Sequence, residues 1–267
     1  MIITRDFVFI HMPKTGGTFV HGIFKQIVAN YKQEHPVKWY MNRIGYKLNL
    51  IAPVYQKLTN VEYYEYPNND VTGQHAGVSF IPGEYKKLPV ISVKRDPAKK
   101  FISAFYYRWW ERFPTLSETH LKGLFPNYPN ISIEEYFDLE YNHVLKRFFS
   151  ADFREDIGVM SWQFIRMYAT DPMYVYKNIT KANFPEIVKT HFKNVDFFEM
   201  EQLSSEFETY IRSTSFDEYA DYFKTEKRIY PPGSNNKKRP ESLSEEFLEK
   251  IKTKEWILYT YFPEYNV

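Results

Sequence analysis

The sequence predicts one α/β domain, with a mostly parallel sheet flanked by helices, over residues 1–267. Two short apolar runs, FVFI (7–10) and PVISV (89–93), are typical of strands buried on both faces. Each run is followed by a loop and then by apolar residues at helical spacing. In such a sheet the crossovers are right-handed, and ligands bind beyond the carboxyl ends of the strands.

The first of these units has a loop of unusual composition. The run 7–10 gives way to PKTGGT (13–18), and apolar residues then recur every three or four positions from Phe19 to Val28. This order predicts a strand, a glycine-rich loop and an amphipathic helix.

The second unit begins with the strand 89–93, which ends in KRDP (94–97). Asp96 can cap a helix, and the fixed φ of Pro97 suits the first helical position. Apolar residues between 101 and 109 give this helix its buried face.

The rest of the chain is less strongly patterned. VDFFEM (195–200) predicts a third strand after a helix-like stretch at about 181–193. SLSE (242–245) fits a capping box for a final helix. Residues from about 112 to 170 are predicted to be mainly helical.

Composition excludes several classes of function. A net charge of +2 gives no broad basic field, so we expect no nucleic-acid partner. Without cysteine there are no disulfides or thiolate metal sites, and the histidines show no metal-ligand spacing, so we expect no metal. No apolar run approaches the roughly 20 residues of a membrane span. The N-terminal segment does not fit a secretory signal, and we expect a cytoplasmic protein.

The loop 13–18 is predicted to bind a phosphate-like group. Backbone N–H groups at a helix start form an anion site, and Gly16 and Gly17 allow close approach. Lys14 adds a charge, and Thr15 and Thr18 add hydroxyl donors. The structural alternative is a tight strand-to-helix turn in which both glycines serve packing.

A nucleoside triphosphate site is expected to read G-x-x-x-x-G-K-[ST]. This chain contains no Gly-Lys pair, and its loop lysine precedes the glycines. The residues therefore favour a phosphate-binding loop that works without a bound metal ion.

HMPKTGGT (11–18) together with VKRDPAKKFISAFYY (93–107) resembles the PAPS-dependent sulfotransferases of the carbohydrate type, where PAPS is 3′-phosphoadenosine 5′-phosphosulfate. Weaker similarity continues through TGQHAGVSF (72–80), NHVLKRFF (142–149), NVDFFEMEQL (194–203) and NNKKRPESLSEEF (235–247). The resemblance implies a three-layer P-loop-like fold and an enzyme with PAPS as donor and PAP (adenosine 3′,5′-bisphosphate) as product. It also implies a hydroxyl acceptor, expected to be a glycan.

By the same resemblance, the 5′-phosphosulfate would be held by Lys14, Thr15, Gly16, Gly17 and Thr18. Arg95 and Ser103 would hold the 3′-phosphate, and Lys237 and Lys238 belong to a late basic loop that would cover the nucleotide. The family's second basic position is usually arginine, and here it is Lys100. Lysine keeps the charge but loses the bidentate fork, which leaves this contact open.

Sulfuryl transfer needs a cation at the departing oxygen and a base for the acceptor hydroxyl. The place of Lys14 in the loop 13–18 makes it the predicted cation at the departing oxygen. His75, in a G-x-H context that resembles the family's catalytic histidine, is the predicted base, with glutamates as alternatives. His11 is interpreted as a packing or orienting residue.

The acceptor pocket is expected in a mainly helical acceptor-side region at about 112–170. Arg108, Trp109 and Arg112 could line it, since an anionic glycan suits cations and aromatic rings. The alternative is a helix end with a packed tryptophan. Two other functions stay open: a P-loop phosphotransferase of kinase type, and a non-catalytic glycan-binding module.

Overall fold

A computed structural model describes residues 1–48, 56–57, 75–112, 114, 116–224 and 243–266. The fold is mixed α/β. One sheet has five strands in the spatial order β3-β1-β2-β4-β5. These are β1 (Ile2–Ile3), β2 (Val8–Ile10), β3 (Gln56–Lys57), β4 (Val90–Lys94) and β5 (Asp196–Glu199).

The strand pairings are equally divided between the two types. β2 pairs with β4 and β4 with β5 in parallel, whereas β1 pairs antiparallel with both β2 and β3. Strand β3 therefore runs in the direction of β2, and only β1 is reversed. The carboxyl ends of β2, β4 and β5 lie at one edge of the sheet.

Helices make up most of the remaining described chain. They are α1 (Gly17–Glu34), α2 (Pro36–Lys47), α3 (Pro97–Tyr107), α4 (Trp109–Arg112), α5 (Glu118–Leu124), α6 (Ile133–Asp138), α7 (Leu145–Phe149), α8 (Val159–Tyr168), α9 (Pro172–Asn178), α10 (Phe184–His191), α11 (Leu203–Arg212), α12 (Glu245–Lys254) and α13 (Trp256–Tyr261).

Each face of the sheet carries a hydrophobic core, because successive strand residues point to opposite faces. Val8 and Ile10 pack into one core with residues of α8 and α13. Phe9, between them, packs into the other core with residues of α1 and α11. The continuous apolar run of β2 follows from burial on both sides.

The predicted helix start at Asp96 is confirmed. Its carboxylate accepts a hydrogen bond from the Lys99 backbone N–H at 2.7 Å, and Pro97 is the first residue of α3. The capping box predicted at 242–245 is wrong. Ser244 caps α12, and the third residue of that helix is Phe247, which has no carboxylate to complete a capping box.

The region from 112 to 170 is mainly helical, as predicted. Serine side chains cap α5 and α6, and a π-helical segment (Leu139–Val144) continues α6 into α7. Its acceptor-side role stays a prediction. In the described ranges, no helix has the length and apolar character of a membrane span.

Candidate functional site

Two loops meet at the carboxyl edge of the sheet. One follows β2 and contains Lys14; the other follows β4 and begins with Arg95. Because β2 and β4 are parallel neighbours, both loops leave the same edge. Nη1 of Arg95 donates a hydrogen bond to the backbone carbonyl of Lys14 at 3.3 Å. The two predicted anion-binding segments are therefore in contact.

Lys14 has a strained backbone and a cation close to an aromatic ring. Its φ is 65°, a left-handed value that few non-glycine residues adopt. Its Nζ lies 3.9 Å from the centre of the Tyr107 ring, and Cζ of Arg112 lies 5.2 Å from the centre of the same ring. The Tyr107 ring therefore contacts two cations beside the loop.

The start of α1 supplies partial positive charge at the same place. Gly16, with φ 91°, precedes the helix and provides no side-chain cap, and the first turn contains no acid. The first N–H groups of a helix have no partner within it, and the helix dipole adds about half a positive charge there. This end suits an anion.

Packing alone requires both glycines of the loop. A Cβ at Gly16 would lie 2.4 Å from Sδ of Met200, and a Cβ at Gly17 would lie 1.9 Å from Cδ2 of His11. The structural alternative therefore explains why glycines occupy these positions. The case for an anion depends on Lys14, Arg95 and the helix end instead.

The two loop threonines differ in their surroundings. Thr15 is buried, and its hydroxyl donates to the carbonyl of Met12 at 2.9 Å. It stabilises the turn, and its proton is already engaged. Thr18 is exposed in the first turn of α1.

A carboxylate that the sequence reasoning missed lies beside Arg95. Oε1 of Glu201 is 4.0 Å from Nε of Arg95 and 3.5 Å from Nζ of Lys99. It lowers the positive charge that an incoming anion would meet. The sequence contains a signal for it, since Glu201 lies two residues beyond the carboxyl end of β5 and so belongs to the same sheet edge.

The predicted base, His75, is oriented by the backbone of His11. Nδ1 of His75 lies 3.1 Å from the His11 carbonyl oxygen. A carbonyl only accepts, so Nδ1 carries the hydrogen and Nε2 carries the basic lone pair. The His11 ring lies 4.6 Å from the His75 ring between ring centres, and it also packs against Gly17 at the start of α1. His11 therefore has the packing and orienting position that the sequence predicts.

Lys100 points into the protein rather than toward the loops. Its side chain is 3% exposed, and Nζ donates to Oε1 of Gln163 at 3.0 Å. Burial lowers the pKa of Lys100 to about 7. The family's second basic contact is thus not available from this conformation. Ser103, one turn further along α3, is mostly buried, and its hydroxyl makes no hydrogen bond within the described ranges.

Two buried carboxylates accompany Lys100. Oε1 of Glu140 accepts hydrogen bonds from Trp109 Nε1 and from the Tyr136 hydroxyl, both at 2.6 Å. Burial raises the pKa of Glu140 to about 7. Glu255 accepts from the Tyr141 hydroxyl at 2.5 Å and from two backbone N–H groups of α8, and burial raises its pKa as well.

The three residues predicted to line an acceptor pocket do not share one site. Trp109 packs against the core and is tied to Glu140. Arg108 pairs with Glu111 and donates to the Pro129 carbonyl at 2.9 Å. Arg112 alone of the three contacts the Lys14 neighbourhood, through Tyr107. For Arg108 and Trp109 the geometry favours the packing interpretation.

An open cleft of about 710 Å³ begins two residues beyond Arg112. It carries exposed basic groups, His120 and Arg147, and the half-buried His143. Its lining residues are Pro114, Leu116, Ser117, Glu118, His120, His143 and Arg147. The cleft lies inside the helical region where the sequence places an acceptor.

Lys237 and Lys238 lie outside the described residues. Within the described ranges, no cluster of three or more histidines and carboxylates could hold a metal ion. No family model, curated protein or solved structure matches the chain.

Proposed function

We propose that the chain is a sulfotransferase that moves the sulfuryl group of PAPS to a hydroxyl acceptor, a carbohydrate, without a metal, on a three-layer P-loop-like fold. The observation that carries the proposal is the hydrogen bond between Arg95 and the Lys14 carbonyl. It joins the arginine of the R-D-P motif to the glycine-rich loop at one sheet edge. A bisphosphate ligand needs two anion sites at a short distance, and these are the two candidates.

The residues present fit such a ligand. The uncapped start of α1 and Nζ of Lys14 would hold the 5′-phosphosulfate. Arg95 would hold the 3′-phosphate, with the Ser103 hydroxyl as a second donor. Lys100 has no part in this scheme, since its ammonium is buried against Gln163.

In the proposed reaction an acceptor oxygen forms a bond to sulfur while the bond from sulfur to the bridging phosphate oxygen breaks. Negative charge develops on that bridging oxygen, and the Lys14 ammonium neutralises it. Nε2 of His75 takes the proton of the hydroxyl. Lys14 must leave the Tyr107 ring to act, and exchanging a cation–π contact of about 1 kcal/mol for a charge pair is favourable.

Calorimetry with nucleotides tests this function against the kinase alternative. We expect PAP to bind without Mg²⁺, and more tightly than AMP, which lacks the 3′-phosphate, by about tenfold or more. ATP with Mg²⁺ should bind no better than ATP alone. Tight, Mg²⁺-dependent ATP binding with no preference for PAP over AMP would assign the loop to a phosphotransferase.

A further inference from the structure

An uncovered row of apolar side chains runs along α2. The exposed fractions of Val37, Tyr40, Met41 and Ile44 are 74%, 65%, 61% and 40%, and Leu48, just after the helix, is 62% exposed. Single exposed apolar residues are ordinary on a protein surface, but a contiguous patch marks an interaction site. Four such residues on one short helix, with Leu48 just after it, form a patch.

These residues share one face of the helix. Spacings of three and four place positions 37, 40, 41, 44 and 48 within a sector of about 100°. The opposite face carries Trp39, which is half-buried and packs against Tyr31 of α1 with 6.4 Å between ring centres. The helix is therefore attached to the protein by one face and presents the other outward.

The charges around this face have one sign. Residues 35–61 contain no aspartate or glutamate, although the whole chain has 33 acidic against 35 basic residues. Lys38 and Arg43 are exposed and lie about 100–120° from the middle of the apolar row, one on each side. Among the described residues, neither of them has an ion-pair partner.

We propose that α2 binds the surface of an anionic lipid bilayer. The apolar row would enter the boundary between headgroups and acyl chains, and Lys38 and Arg43 would contact the anionic headgroups on either side. At 12 residues the helix lies in the interface rather than crossing it, which takes about 20. Pairing of this face with a second copy would bring Lys38 and Arg43 toward the same two cations of the partner.

Co-sedimentation of the full chain with vesicles tests the proposal. The vesicles are phosphatidylcholine alone, or with about 30 mol% phosphatidylserine. We expect binding to the mixed vesicles and a loss of it as salt rises. The double variant Met41→Gln/Ile44→Gln should lose about tenfold or more in partition. Lys38→Glu/Arg43→Glu should lose the preference for the anionic lipid.

Matched controls change the same residue types elsewhere. Met173→Gln removes an exposed methionine on α9, and Lys181→Glu/Lys189→Glu reverses two exposed lysines near α10. Both should bind vesicles like the wild type. Wild-type protein that stays in the supernatant, or variants of α2 that bind unchanged, would overturn the proposal. So would a dimer, seen by light scattering, that Met41→Gln/Ile44→Gln dissociates.

Discussion

The guanidinium of Arg95 donates a hydrogen bond to the backbone carbonyl of Lys14 at 3.3 Å, although 81 positions separate the two residues. The contact exists because β2 and β4 are parallel neighbours and the two loops leave their carboxyl ends. It also fixes a residue whose φ of 65° is unfavourable for lysine. Arg95 therefore has a structural role in the loop beside its proposed role toward a ligand.

Removing the charge of Glu201 should strengthen PAP binding. Glu201 lies 4.0 Å from Nε of Arg95 and competes with any anion for it. The carboxylate is 45% exposed, so water screens the competition, and we expect Glu201→Gln to tighten PAP about threefold to tenfold. Glu186→Gln on α10 is the control and should change nothing. A Glu201→Gln variant that binds PAP more weakly would place the ligand away from Arg95.

Loss of His75 should slow transfer without weakening nucleotide binding. The assay uses labelled PAPS and an acceptor found by screening hydroxyl-bearing saccharides. We expect His75→Ala to lose about 10²–10⁴ in rate, as for a removed general base, while PAP affinity is kept. His75→Asn can still donate to the His11 carbonyl but has no base at the Nε2 position, and it should be equally slow. Unchanged rates in both variants would favour a binding module or another base.

The contact between Gly17 and His11 makes a prediction about stability. A Cβ at Gly17 would lie 1.9 Å from the His11 ring, so Gly17→Ala must displace the ring or the helix. We expect Gly17→Ala to lower the free energy of unfolding by about 2 kcal/mol. His11→Ala removes the side chain with which the new methyl group collides. The double variant should therefore lose less free energy of unfolding than the sum of the losses in the two single variants. Urea unfolding checks this, and strict additivity would contradict it.

Glu140 predicts a pH dependence of stability. Burial raises its pKa from 4.5 to about 7, so the folded protein holds this proton more tightly than the unfolded chain. The resulting stabilisation is full below pH 4.5 and is lost as the pH rises through about 7. Glu140→Gln keeps the acceptor for Trp109 and Tyr136 but cannot titrate.

We therefore expect the free energy of unfolding to fall less between pH 4.5 and 7 in Glu140→Gln than in the wild type, by up to about 3 kcal/mol. Lys100, whose pKa is lowered to about 7, changes stability in the opposite direction and above this window. Denaturant titrations at several pH values measure the difference. Parallel curves for the two proteins would show that the Glu140 proton is bound equally in both states.

The units around the candidate site could be predicted because their signals are local. The buried strand, the glycine loop and the helix from Gly17 follow from composition and period, and Asp96-Pro97 marks the start of α3. β1 has only two residues, which no period can reveal. Its pairing depends on contacts with β2 and β3 that are set by the fold.

Side-chain directions within the site were less predictable. Lys100 stands at a motif position but lies on the buried face of α3, where Gln163 and the carboxylates around it come from distant segments. Tyr107 ends the segment 93–107 that contains the R-D-P motif, yet its contact with Lys14 needs the geometry of two adjacent loops. Pattern places residues on a face or an edge, and tertiary packing decides what each one touches.

The loop after β2 and the arginine after β4 are proposed to bind one bisphosphate nucleotide. Calorimetric titration of PAP without Mg²⁺ tests this proposal most directly, with wild type, Lys14→Ala, Arg95→Ala and the control Lys87→Ala, which changes a lysine before the amino end of β4. We expect each site variant to weaken PAP binding by about tenfold to a hundredfold, while the control binds PAP like the wild type. Undetectable wild-type binding at millimolar PAP, or equal affinity in all four proteins, would contradict it.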